Sequence, residues 1–331
     1  MRSVKASAAA RVDLAGGSLD LWPIGQIVPG AMTVNVAVSL AATAECRATG
    51  EPGVALASKD LMAAYTWRPG QASGPLALAE RLCEAFGVVS GWAISTRSDV
   101  PPGSGLGGSS AVGMALALSL KAISGRDMND AELVNLCRDL EASHLRIPTG
   151  VQDFWPALRG GLISIRYEAG GERVEAIRTS LKALAARMVV AYSEHSRLSA
   201  GTNWALYKRF MDDEPSACRG LEGIAMAASA MRDALEAGDL DRAGTLLNEE
   251  WGHRRTLAEG VSTPRVESLM AAARGAGAIG GKACGAGGGG CLAFLVREGT
   301  RLRVERALEE EGARVLPAHP VERGHVVEVE E

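Results

Sequence analysis

Three groups of residues in this 331-residue chain have types and spacing suited to handling a phosphate. The first is Gly103-Ser104-Gly105-Leu106-Gly107-Gly108-Ser109-Ser110, preceded by Pro101-Pro102. It follows a strand-like stretch and runs into the almost wholly apolar segment 111–123, AVGMALALSLKAI, which reads as a buried helix. Clustered glycines expose backbone N–H groups, and the N-terminus of a helix adds partial positive charge, so an anion would be held there. Ser109 and Ser110 fall in the first turn, where a hydroxyl can ligate the Mg²⁺ that accompanies a nucleotide. A plainer alternative is tight helix–sheet packing with the serines as caps. The second group is Gly285-Ala-Gly-Gly-Gly-Gly290, where glycine fills five of six positions. A turn needs one or two, so the excess points to backbone pressed against a ligand or against the first loop. The third group is a pair of acids. Asp153 sits among apolar neighbours in 148–154, PTGVQDF, an odd place for an unpaired charge. Glu141 ends the preceding helix. Singly, each is an ordinary surface acid; with the loops and the serine pair they supply a phosphate cradle, metal ligands and a base, the parts phosphoryl transfer needs.

Other phosphate-binding patterns fit less well. Gly103-x-Gly105-x-x-Gly108 matches the dinucleotide fingerprint literally, but that fold needs an acid at the end of a second strand about 20 residues on. Here that distance falls on Asp127 and Asp130, in a turn and a helix cap. Gly281-Lys282 is no P-loop, since Ala276 stands where the motif needs glycine and Ala283 where it needs Ser or Thr. HRD, DFG and HExxH are all missing, which removes protein-kinase and zinc-protease chemistry.

The elements that must position these groups read as a mixture of strands and helices. Strands are expected from residue 4, from 31 to 47, at 92–96, at 161–167, at CLAFLV (291–296) and at VVEVE (326–330). Helices are expected at 75–86 with Gly87 as stop, 111–123, 129–144, 198–212, 216–237, 239–251, 263–276 and 299–311. Asn129 with Glu132 forms a capping box, Asp239 caps a helix, and Pro264 stands at a first helical position after Thr263. Without strict strand–helix alternation the class is α+β. A polar, glycine-rich stretch at 168–175 marks a domain boundary, giving units 1–172 and 173–331.

Composition narrows the class further. Apolar residues make up 47% and charged residues 22%, ordinary globular values, while 40 glycines exceed the usual share. A net charge of −4 lacks the basic excess of a nucleic-acid or anionic-membrane binder. No apolar run reaches membrane-spanning length, and six scattered cysteines without a CxxC pair suit a reduced, cytoplasmic setting.

Taken together, the motifs resemble those of the GHMP kinases (galactokinase, homoserine kinase, mevalonate kinase, phosphomevalonate kinase). Residues 101–111, PPGSGLGGSSA, look like the family's second motif; 11–20, RVDLAGGSLD, like its first; and 282–290, KACGAGGGG, like its third. The resemblance implies an N-terminal domain similar to ribosomal protein S5 domain 2, a ferredoxin-like C-terminal domain, and ATP and substrate between them. It implies that Pro102 to Ser110 hold the nucleotide, and that Ser109, or Ser110 in its place, and Glu141 ligate Mg²⁺. Asp153 would be the base or orienting carboxylate, and Arg11 would stabilise charge on the reacting oxygens. Asp20 would hydrogen-bond substrate hydroxyls, with Gly16, Gly17, Gln152, Gly287 and Gly288 beside it.

Within the family the chain looks most similar to the D-glycero-D-manno-heptose 7-phosphate kinase branch. The shared features are Ala15-Gly16-Gly17 with Asp20, Gln152-Asp153, Gly160-Gly161, Trp251 with Arg254-Arg255, and Gly281-Lys282. Arg197, Arg254 and Arg255 are then candidates for a sugar phosphate, with a solvated helix face as the alternative for the last two. Leu19 stands where threonine is expected and Val151 where lysine is expected, which opens the pocket to another sugar. The expected activity is ATP-dependent phosphorylation of a sugar or sugar phosphate at the anomeric hydroxyl, by a monomer or homodimer that binds neither nucleic acid nor membrane. The alternatives are a non-sugar acceptor of the mevalonate or homoserine kind, or a non-catalytic sensor of sugar and nucleotide.

Overall fold

Two long strands carry the first half of the chain, and their residues explain why. β1 (Ser3–Ala15) and β2 (Met32–Ala48) are runs of alanine, valine and other small residues. Such strands can be covered on both faces, and both become almost continuously buried. They pair antiparallel from Ser3↔Arg47 to Ala15↔Val34, with irregularities after Ala9 and Asp13. The second releases the chain into the turn at Gly16. The computed structural model describes residues 2–194 and 199–331.

After α1 (Ile24–Ile27) and β2 come the hairpin β3 (Val54–Ser58) and β4 (Ala63–Trp67), then α2 (Ala77–Ala85) and β5 (Trp92–Ser98). The helix α3 (Gly108–Ser124) follows the first glycine loop, and α4 (Asp130–Leu145), α5 (Phe154–Arg159), β6 (Leu162–Glu168) and β7 (Gly171–Ala176) complete this half. The sheet runs β12-β1-β2-β5-β3-β4, where β12 (His325–Glu330) is the chain's closing strand; β6 pairs with the first part of β2, and β7 with β6. α3 is apolar around its circumference and lies buried between this sheet and neighbouring helices, as a helix without a polar face must. Its Gly107 N-cap sits at φ +73°, a left-handed conformation glycine takes without penalty.

The second half contains α6 (Leu181–Arg187), β8 (Met188–Tyr192), α7 (Ser199–Met211), α8 (Pro215–Glu236), α9 (Leu240–Arg254), α10 (Pro264–Ala276), β9 (Ala278–Ala283), β10 (Cys291–Val296), α11 (Arg301–Glu310) and β11 (Arg314–Val315). Its sheet runs β11-β8-β10-β9 with every neighbour antiparallel, the four-one-three-two order of a ferredoxin-like unit. The α+β class and the two-unit architecture are thus as the sequence led one to expect. A cluster of buried side chains from β1, β2, β8, β10, α8 and α9 welds the two sheets together.

The helix signals match the structure closely. Asn129 and Glu132 form the capping box, and Asp239 and Thr263 accept hydrogen bonds from the first turns of α9 and α10. The expected division at 172/173 falls inside β7, which is still hydrogen-bonded into the first sheet, and β12 returns to that sheet from the far end of the chain. The six cysteines are free thiols. Among the described residues no helix is long and apolar enough to cross a membrane.

Candidate active site

Between the two halves lies a cleft of about 640 Å³. One end is apolar, walled by Leu56 and Leu61 of the β3–β4 hairpin, by Leu76 and Leu78 around the start of α2, and by Ile94 of β5. Its middle is the first glycine loop. Pro102, Gly103, Ser104, Gly105, Gly107, Gly108, Ser109 and Ser110 all line the cleft, whereas Leu106 turns into the core and gives only its carbonyl, which accepts the Arg11 N–H at 3.0 Å. Gly285 and Ala286 reach the wall from the second glycine loop. That loop presses on the first: a Cβ on Gly105 would lie 2.4 Å from the Cys284 carbonyl oxygen, and one on Gly290 would lie 2.7 Å from that of Ser104. Glycine is therefore obligatory on both sides of the contact.

Beyond the loop, four ionisable groups converge. Arg11, on β1, donates to the Gly105 carbonyl at 2.6 Å and pairs with Asp153 at 2.6 Å. The Ser110 hydroxyl lies 3.2 and 3.3 Å from the two carboxylate oxygens of Glu141 and 3.5 Å from Asp153 Oδ2. Burial, and after it the charge of Asp153, pushes Glu141 up to about 7, against the hydrogen bonds of Ser110 and Ser109. Asp20 is gripped by Gln152, whose backbone N–H and side-chain Nε2 donate to its two oxygens at 3.2 and 3.3 Å. A Cβ at position 150 would fall 1.6 Å from Asp20 Oδ2, so only Gly150 permits this seat. Burial, and then Asp153, pushes Asp20 up to about 7 as well. Gln152 Oε1 is buried without a hydrogen-bond partner among the described residues, leaving an acceptor beside Asp20 for a donor from outside.

The donor set Ser110, Glu141 and Asp153 is made of hard oxygens, with more negative charge than Arg11 balances, and fits Mg²⁺. Among the described residues no trio of His, Cys, Asp or Glu gathers into a complete metal cage. An ion here would complete its coordination with phosphate oxygens and water, which is how Mg²⁺ is usually held.

Other expected contacts lie elsewhere. Gly16 and Gly17 form the turn behind Asp20 and do not line the cleft. Trp251 packs into the core of the second unit, and Arg255 is exposed, 3.8 Å from Glu267. Arg254 is no solvated helix residue: it is 2% exposed and bonded to Glu250 and to the Gly17 carbonyl. Gly287 and Gly288 face Val261, whose carbonyl accepts the Gly288 N–H at 2.6 Å. Arg197 lies outside the described residues. Two features escaped the sequence reading. The β3–β4 hairpin supplies part of the apolar end, and its signal was the short alternation on either side of 59–62. The buried charges Asp13, Glu250 and Lys282 gather around Arg254, and no local pattern announces them.

The chain is similar to known proteins along most of its length. Residues 75–161 match the family model "GHMP kinases N terminal domain", and residues 231–314 match "GHMP kinases C terminal". A mevalonate kinase from Aeropyrum pernix is 29% identical over 98% of both chains. A D-glycero-alpha-D-manno-heptose 7-phosphate kinase from Campylobacter jejuni is 28% identical over 66% of both. Among solved structures, a D-glycero-D-manno-heptose 1-phosphate kinase from Bacteriodes thetaiotaomicron superposes with TM-score 0.79 at 22% identity, covering 98% of each chain. The Methanococcus jannaschii mevalonate kinase gives 0.76 at 19%, covering 96% of this chain and 98% of that one.

Proposed function

The chain belongs to the GHMP kinases, phosphotransferases that act on alcohol groups, and from that premise we propose that it transfers the γ-phosphoryl group of ATP to the anomeric hydroxyl of a sugar or sugar phosphate. The observation that carries this reading is the Asp20 seat. Asp20 and Gln152 both line the cleft next to the Arg11–Asp153 pair, and the buried Gln152 Oε1 beside Asp20 is an acceptor without a partner among the described residues. A row of acceptors suits a substrate rich in hydroxyl donors.

In this arrangement the purine stacks in the apolar end, and the glycine loop offers its N–H groups and the α3 terminus to the phosphates. Ser110, Glu141 and Asp153, with Ser109 at the rim, would hold Mg²⁺, which when bound neutralises phosphate charge. Asp153 accepts or orients the acceptor hydroxyl proton, and Arg11 holds Asp153 in position while facing the oxygens that gain charge. Asp20 and Gln152 fix the acceptor so that one hydroxyl points at the phosphorus.

A second reading, an acceptor of the mevalonate kind, is favoured by the full-length likeness to the Aeropyrum pernix enzyme. Coupled ADP release decides between them, using ATP and Mg²⁺ with heptose 7-phosphate, mannose, fucose, galactose, mevalonate and homoserine, and Asp153→Asn as control. Turnover on a sugar or sugar phosphate, lost in the control, is the expected result. Turnover on mevalonate alone would overturn the sugar reading. ATP binding by calorimetry with silence across the panel would favour a non-catalytic sensor.

A further inference from the structure

Behind the Asp20 seat lies a group of four charged side chains, none of which lines the cleft. Asp13 of β1, Glu250 and Arg254 of α9, and Lys282 of β9 are each at most 2% exposed. Lys282 Nζ donates to Asp13 Oδ2 at 2.7 Å and to the Asp13 carbonyl at 3.2 Å, and lies 3.3 Å from Glu250 Oε1. Arg254 Nε donates to the same Glu250 oxygen at 2.8 Å. Burial alone would push Asp13 up, but Lys282 and then Arg254 hold it below the usual carboxylate range. Two acids and two bases thus balance.

One edge of this group reaches forward. Arg254 Nη2 donates to the Gly17 carbonyl at 2.8 Å, and Nη1 to the Ser18 hydroxyl at 3.4 Å. Ser18 stands at φ +71°, a left-handed conformation that costs energy in any residue with a Cβ, so the turn must be held from outside. Gly17 has no freedom on its other side, since a Cβ there would lie 2.4 Å from Asp13 Oδ2. The turn leads within three residues to Asp20, and Ser18 itself lines the cleft. A single neutral ion cluster therefore joins a helix and a strand of the second unit to the one turn that aims Asp20.

We propose that Asp13, Glu250, Arg254 and Lys282 form a positioning clamp through which the second unit sets the Gly16–Ser18 turn and hence the acceptor-binding carboxylate. None of the four touches substrate; they act through the turn. The proposal rests on the reading above that Asp20 holds the acceptor. The guanidinium fork is what the clamp needs, because it reaches Glu250, Gly17 and Ser18 at once, and a lysine keeps the charge but not the fork.

The test compares Arg254→Lys with Asp20→Asn and with the double variant. Hydrogen exchange of the unliganded enzyme should show residues 16–20 exchanging at least about tenfold faster in Arg254→Lys, with 103–110 unchanged. With the panel acceptor of highest turnover, its KM should rise about tenfold while the KM for ATP stays within about twofold. The double variant should be little worse than Asp20→Asn alone, since both act through one carboxylate. Unchanged exchange at 16–20 in a folded Arg254→Lys protein would overturn the clamp, as would uniform loss of protection across β1, α9 and β9, which marks general destabilisation. If Asp20→Asn leaves the acceptor KM unchanged, the acceptor reading falls, and the exchange data still decide the clamp.

Discussion

Two sets of four charged side chains stand back to back in this molecule, and β1 contributes to both. Arg11 faces the cleft with Asp20, Glu141 and Asp153; Asp13, two residues on, faces away with Glu250, Arg254 and Lys282. The rear set balances, two against two, and is sealed from water. The cleft set does not, with one base against three acids, and two of its carboxyls are pushed up to about 7. Burial punishes uncompensated charge, so a folded protein neutralises it with partners or with protons. The rear set has its partners. The cleft set has more acid than base and meets the cost with raised proton affinities, and this imbalance separates a site from a staple.

The contrast can be broken at its extremes. Asp153→Asn should lower kcat by about 10²–10⁴-fold, the usual range for a group that moves or orients the reacting proton. Steady-state ADP release measures it, and a rate near wild type would remove Asp153 from the chemistry. On the rear side, Lys282→Met leaves Asp13 and Glu250 sharing one cation. Urea unfolding should show a loss of about 3–5 kcal/mol, as for other broken buried pairs; a midpoint like that of wild type would mean the cluster holds nothing together.

A subtler difference lies in pH. Asp20 and Glu141 bind their protons more tightly folded than unfolded, so the stability they contribute is full below pH about 4 and declines as pH rises towards 7. Each is worth up to about 3–4 kcal/mol at 1.36 kcal/mol per pH unit. Unliganded Asp20→Asn and Glu141→Gln proteins should lose less stability than wild type between pH 5 and 8, and Mg²⁺ with a nucleotide should offset the wild-type decline. Parallel curves for wild type and both variants would sink this account. The smallest effect belongs to Arg255→Ala, at a half-exposed residue 3.8 Å from Glu267. Stability should move by no more than about 0.5 kcal/mol and acceptor KM not at all; a raised KM would put Arg255 back among the substrate contacts.

The same contrast shows how far the sequence could be read. The cleft side is written in local patterns. Glycines cluster where backbone meets backbone, Gly105 against Gly285 and Gly290 against Ser104; Ser110 and Glu141 fall in the first and last turns of legible helices, and Asp153 stands out as a charge among apolar neighbours in a loop. Motif resemblance then supplied Arg11 and Asp20. The rear side joins Asp13 to Lys282 across 269 positions of sequence, and nothing near either residue reveals a partner. Arg254 reads as a sugar-phosphate contact or a solvated helix residue, because helix α9 is polar along much of its length and nothing near it in sequence shows that it is buried. Short strands were lost for a related reason: β3, β4, β8 and β9 are five or six residues of mostly small or apolar side chains, too few to establish a period.

The closing strand carries a consequence for how the molecule is made. β12 pairs with β1 from Ser3↔Glu330 to Ala8↔His325, so the first sheet takes its edge from residues translated after the entire second unit. At about 5–20 residues per second, β1 waits roughly 15–60 s on the ribosome with one flank bare. During that interval it offers an unpaired strand edge to other nascent chains, a hazard that a chaperone or the early packing of α3 would have to cover.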